Sequence, residues 1–161
     1  MNSSMRFSKR AAQAGFTLFE MIITCTVLLI LASAVIPMAQ NGLKREKELA
    51  LRRDLREMRQ AIDAYKLAVD QQKIKPPPPE NMGYPESLDI LVAGAQANGS
   101  LNGKIRYLRR IPLDPFSGRA EWGMRSINDE PNSTGWGGGN VFDVYSLAQG
   151  TGMNGVAYKE W

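Results

Sequence analysis

The chain has 161 residues, of which 20 are Lys or Arg, 16 are Asp or Glu and none is His, for a formal net charge of +4 at pH 7. Arg6, Lys9 and Arg10 supply three of those cations within the first 15 residues, which hold no acid; the remaining 17 against 16 is too balanced for a nucleic-acid footprint. Without histidine, and with Cys25 as its only thiol, the chain lacks the commonest general base, the usual nucleophilic pairings, most zinc sites and any intramolecular disulfide.

From Phe16 to Ala39 the sequence stays apolar for 24 positions, with Glu20 as the only charge and Cys25 as a small packing residue. A helix of that length rises about 36 Å, enough to cross about 30 Å of hydrocarbon, so residues 16–39 are expected to span a membrane. A carboxylate inside such a span costs several kcal/mol and points to a function. Three readings of the first 40 residues compete. A secretory signal peptide would take the three cations as its basic head and Ala32-Ser33-Ala34 as its cleavage site, but its apolar region would be long and would carry Glu20 near its start. A plain signal anchor would use Thr17-Leu18-Phe19-Glu20 only as a capping box for the first helical turn.

The third reading rests on Gly15-Phe16-Thr17-Leu18-Phe19-Glu20, which follows a short basic leader and precedes the apolar stretch. This arrangement resembles the type IV pilin and pseudopilin family. The resemblance implies that a prepilin peptidase and N-methyltransferase removes residues 1–15 by cutting after Gly15, and methylates the new amine of Phe16. It also implies that Glu20 is the family's assembly glutamate, paired in the filament with the N-terminal amine of a neighbouring subunit, and that Pro37 is the proline of the same helix. Physically, a buried carboxylate is tolerable only when a cation or donor meets it, so Glu20 would favour assembly and fix axial register. Pro37 has no amide proton, so it either loosens the helix near the membrane exit or is a tolerated kink with no further role. Basic residues conflict with this topology, because Lys44, Arg45, Lys47, Arg52, Arg53, Arg56 and Arg59 beyond the span outnumber the three before it. The processing motif implies the opposite orientation, with the leader cytoplasmic.

Past the span, Leu51, Leu55, Met58, Ile62, Tyr65 and Val69 recur at gaps of 4, 3, 4, 3 and 4, which predicts an amphipathic continuation of the helix over 40–75. The other faces offer pairs four apart, Lys44/Glu48, Glu48/Arg52, Arg53/Glu57, Arg59/Asp63 and Lys66/Asp70, expected on a solvated or subunit-facing surface. The apolar stripe covers under three heptads, so it is expected to pack on the chain's own small domain, residues 76–161, rather than in a coiled coil.

Pro76 to Pro79 are expected to end the helix as a stiff spacer. Tyr84 to Val92 read as a short helix with Pro85 near its first turn and Gly94 beyond its end, and Ala95 to Lys104 as a loop. Arg109 to Gly118 is turn-rich, with the Asp114 carboxylate expected to bond nearby amides. Glu121 to Ile127 reads as a strand with Trp122 and Met124 on one side. Val141 to Leu147 reads as a strand with Phe142 and Val144 opposite Asp143 and Tyr145, and Ala157 to Trp161 as a short final strand. The predicted fold is α+β: a long N-terminal helix, half membrane-spanning and half amphipathic, packed on a small antiparallel sheet, pilin-like.

Tyr84-Pro85, then Leu108 to Pro115, then Asp143-Val144-Tyr145-Ser146-Leu147, are similar in order to the G-type major pseudopilin of type II secretion. Many members of that group bind calcium through acids in the loop after the last of these strands. Here that loop, Ala148 to Gly155, has no carboxylate, so no metal site is carried over; Asp129, Glu130 and Asp143 are the acids left to meet in space. No catalytic residue is expected: Asp114 and Asp143 have no spacing that pairs them, and Gly135 to Asn140 lacks the lysine and hydroxyl of a phosphate loop, reading instead as a mobile surface loop carrying Trp136.

The resemblance implies a non-enzymatic subunit inserted once in the bacterial inner membrane with its C-terminal domain periplasmic. It would polymerise with itself into a periplasmic filament that drives protein export. Its other partners would be the prepilin peptidase, minor pseudopilins and the inner-membrane assembly platform. A type IV pilus subunit for adhesion, motility or DNA uptake, and a membrane-anchored periplasmic binding domain, remain open.

Overall fold

The computed structural model describes residues 15–100 and 103–161, without the side chains of 34–40; the leader cations Arg6, Lys9 and Arg10 and the side chain of Pro37 lie outside the described residues. The chain falls into two compact units, Met1–Gly42 and Leu43–Trp161. The predicted α+β architecture is present. Helix α1 spans Leu18–Asp70 and helix α2 Leu88–Ala93, followed by strands β1 Ala95–Gln96, β2 Lys104–Ile105, β3 Trp122–Arg125 and β4 Asp143–Ser146.

In the second unit α1 buries the predicted stripe. Leu51, Met58 and Ile62 have no accessible surface, Leu55 and Tyr65 almost none, and Val69 sits half-buried at the cluster's edge. Ala61 and Ala68 complete the face and let the rest of the domain come close to the helix. Ile74, Leu88, Leu91, Leu108, Trp122, Val141 and Val144 cover the stripe from the other side.

The helix ends at Asp70, ahead of the four prolines. The Lys73 amide donates to the Ala68 carbonyl at 2.9 Å and the Gln72 amide to the Val69 carbonyl at 2.9 Å, around a left-handed Gln72 with φ of 56°. That is a Schellman closure with glutamine where glycine is usual. Stopping there frees the next backbone groups for other partners: Lys75 donates to Gln96 at 2.9 Å, and Ile74 bridges Ala97. The segment expected to be a loop therefore contains β1, whose residues pair antiparallel with β2 as Ala95↔Ile105 and Gln96↔Lys104.

The antiparallel pairing is divided between two ribbons, β1–β2 and β3–β4, the latter registered Trp122↔Ser146 through Arg125↔Asp143. The expected alternation along β4 holds, with Val144 on one face and Asp143 and Tyr145 on the other, but both faces are covered. Val144 points into the core, while Tyr145 lies over Gly123, where a Cβ would come within 2.2 Å of the ring, and Arg125 caps that ring at 4.2 Å. Phe142 precedes the strand and is 44% exposed, meeting Tyr84 edge-on at 5.3 Å. Ala157 to Trp161 is not a strand either. After a single bridge, Thr151↔Ala157, it turns as a 3₁₀ helix, Tyr158–Glu160, and Tyr158 stacks on Phe116 with centroids 4.4 Å apart.

Candidate functional site

Gly15, Phe16 and Thr17 precede α1 in exposed, non-helical backbone, and among the described residues nothing covers the Gly15–Phe16 peptide bond. Thr17 caps the helix: its Oγ1 accepts the Glu20 amide at 3.2 Å and its carbonyl the Met21 amide at 3.1 Å. This satisfies donors that the first turn would otherwise leave free. It is one half of the predicted capping box. The Glu20 side chain is exposed, and its carboxylate has no hydrogen-bond or ion-pair partner among the described residues. Its place in the first turn sets it against the positive end of the helix dipole.

Farther along, the three other hydroxyls of the apolar stretch up to Ser33 turn back onto their own helix. Thr24 donates to the Met21 carbonyl at 3.0 Å, Thr26 to Ile22 at 2.7 Å and Ser33 to Ile30 at 2.7 Å. Such bonds hide polarity without a partner helix. Cys25 is exposed. Among the described residues no helix is long and apolar enough to cross a membrane; the described side chains of the expected 16–39 span stop at Ser33, and Pro37 lies in the helical backbone beyond them.

The second unit gathers polar groups that sequence spacing did not reveal. Asp143 accepts Arg59 Nε at 2.6 Å on one oxygen and Arg125 Nη1 at 3.0 Å on the other. Arg59 also donates to the carbonyls of Val144 at 3.0 Å and Trp161 at 2.7 Å, and Arg125 to those of Ser133 and Lys159, each at 2.9 Å. These two guanidinium forks tie α1, β3, β4 and the last turn together. Arg59 thus pairs across the fold instead of with Asp63, and among the four-apart pairs Lys66–Asp70 is the ion pair formed. Glu48, expected on the solvated face, is instead buried, accepting the Met153 amide at 2.9 Å and the Tyr158 hydroxyl at 3.3 Å. Burial and the neighbouring Glu48 carboxylate push the Tyr158 hydroxyl pKa up.

Asp114 forms the expected turn, its carboxylate accepting Phe116 N at 2.7 Å and Ser117 N at 3.3 Å, and it is further buried against the Ser146 hydroxyl. Asp114 and Asp143 each spend their carboxylates on separate structural networks, so the two do not form an acid–base pair. Asp129 accepts Ser126 N at 2.7 Å and Gly137 N at 3.0 Å, and these amides lower its pKa. Those bonds, with Trp136 donating to the Asn140 carbonyl at 2.9 Å and Tyr145 to Thr134 at 2.8 Å, pin the glycine-rich segment. Among the described residues no group of three or more His, Cys, Asp or Glu is placed to hold a metal, and Asp129, Glu130 and Asp143 are not brought together.

A prokaryotic N-terminal methylation motif matches residues 10–36. The chain is similar to type II secretion system core protein G of Pseudomonas aeruginosa, with 29% identity over 144 residues covering 86% of this chain and 85% of the relative. It is also similar to the protein of that name from Escherichia coli, with 31% identity over 113 residues covering 65% and 67%. The one from Klebsiella michiganensis is 28% identical over 115 residues, covering 68% and 72%. No solved structure matches the chain.

Proposed function

The chain belongs to the type II secretion system core protein G family, and from that premise we propose how its helix start serves as the site of processing and assembly. It is a structural subunit of the pseudopilus. In our reading a prepilin peptidase cuts the exposed bond after Gly15 and methylates the Phe16 amine. The apolar part of α1 first holds the subunit in the inner membrane, with the second unit in the periplasm, and then joins the filament core. Pro37 belongs to this same helix and loosens it where it leaves the bilayer. Copies of the chain polymerise with one another, alongside minor pseudopilins and on an inner-membrane assembly platform. The role is mechanical, and the occupied carboxylates of Asp114 and Asp143 fit a protein without catalytic work.

The observation that carries this reading is the state of Glu20. The Thr17 cap leaves its carboxylate exposed, with no partner among the described residues. A charge carried into an apolar environment needs a counter-charge, and a neighbour's N-terminal amine supplies one during assembly. The test combines the intact mass of the protein from native membranes with the filament yield of Glu20→Ala. The expected result is a chain beginning at N-methylated Phe16 and a variant that inserts normally but loses most of its polymer. Cleavage after Ala34, or an uncut chain, would overturn the processing step, and full filament yield from Glu20→Ala would overturn the pairing.

A further inference from the structure

We propose that Glu48 does in this chain what a loop-bound cation would do, fixing the loop from Gly150 to Tyr158 onto α1 and making its order independent of calcium. The inference goes beyond the subunit reading and draws on the family only for the choice of cation. Calcium takes six to eight oxygen ligands, carboxylates among them. Ala148 to Gly155 offers no carboxylate, and several of its oxygens already accept bonds from the loop itself. The Gly152 carbonyl accepts Gly155 N at 2.9 Å and the Gly150 carbonyl accepts Tyr158 N at 3.3 Å. Asn154 Oδ1 accepts Val156 N at 3.2 Å, and Gly152 N donates to the Val156 carbonyl at 2.8 Å. A carboxylate from the helix, Glu48, reaches the loop, and the loop turns an amide donor toward it, the Met153 N–H at 2.9 Å. A cation at that point would face a donor rather than a lone pair. Glu48 is 5% exposed, so water does not compete with its two bonds, and they join α1 to a segment 105 to 110 residues away.

The loop is therefore closed by a charge that is part of the chain. Such a lock needs no divalent ion and is not opened by a chelator. The test uses the full chain in detergent micelles, with thermal unfolding and mass-spectrometric amide exchange in calcium chloride and in EDTA. The unsubstituted protein is expected to melt at the same temperature in both. Glu48→Ala is expected to lower the melting temperature by about 3–8 °C and to speed exchange across 150–158 about tenfold, with no recovery on adding calcium. If Glu48→Ala does not fold, Glu48→Gln keeps one acceptor and is expected to give a smaller shift in the same direction. A rise above about 3 °C with calcium in the unsubstituted protein, calcium rescue of either variant, or unchanged exchange in both variants would overturn the proposal. Each of these results leaves the Glu20 test untouched, so the two readings fail separately.

Discussion

Between Leu18 and Leu31 the large apolar side chains of α1 are 46–80% exposed, whereas Leu51, Met58 and Ile62 on the same helix have no accessible surface. The later stretch is one-sided: its stripe faces inward while charged residues fill the other faces, and the chain's own domain supplies the cover. The earlier stretch is apolar all round, so no single face could be covered by a domain packed on one side. In the proposed reading, lipid and then other copies of the chain supply that cover. One continuous helix thus runs from a stretch whose described apolar side chains are exposed into one whose apolar stripe is buried, the division that the proposed filament subunit calls for.

The sharpest break of this comparison is a matched pair of truncations. Met58→Ala removes a side chain with no exposed surface and should cost about 2–5 kcal/mol, while Leu29→Ala, at 71% exposure, should stay within about 0.5 kcal/mol. Urea unfolding in detergent, followed by fluorescence of Trp122, Trp136 and Trp161, all in the second unit, checks both. Equal losses would mean that the two stretches share one folding unit.

Within the covered unit, the polar clamp should matter less than the core and more than any surface pair. Asp143→Ala leaves Arg125, whose side chain is 7% exposed, without its carboxylate, and a loss of about 2 kcal/mol is expected. The Lys66–Asp70 pair, 29% and 53% exposed, should contribute no more than about 0.5 kcal/mol in a double-mutant cycle. A surface pair as strong as the clamp would show that burial is not what separates them.

What the sequence revealed divides along the same line. The α1 stripe was legible because its 3.6-residue periodicity is local, and the start of α1 because Thr17 and Glu20 are three positions apart. Arg59, Glu48 and Arg125 were not legible as buried groups. Arg59 and Glu48 meet partners 84 to 110 residues away, and a charged residue on a helix gives no local sign that a distant loop will close over it. Strands β1 and β2 are two residues each and rest on backbone pairing rather than on any side-chain alternation. The Asp114 turn was visible as an Asx motif, but its burial against Ser146 was not, because β4 brings that hydroxyl from 32 positions away.

The end of α1 was missed for a different reason: a left-handed position usually announces itself with glycine, and here it holds Gln72. That substitution carries a cost the chain can be relieved of. Gln72→Gly should stabilise the second unit by about 0.5–1 kcal/mol, since the backbone carbonyls of Gln72 and Ile74 that Asn98 bonds are unchanged. The same urea titration detects it, and a loss of stability would show that the glutamine side chain itself holds the closure.

The smallest expected effect concerns the glycine-rich segment, whose order rests on a charge. The Ser126 and Gly137 amides both donate to one oxygen of Asp129 and lower its pKa from the ordinary 3.8. A depressed pKa in the folded state means that the ionised form is the bonded one. The stabilisation is therefore present above pH 3.8 and is lost as pH falls through the lower folded value. Asp129→Asn should shift the Gly137 amide resonance and raise its exchange rate at pH 7, with the difference from the unsubstituted protein closing as acid protonates Asp129. A difference that persists unchanged below the folded pKa would mean that the side chain's shape, and not its charge, holds Trp136 and the glycines in place.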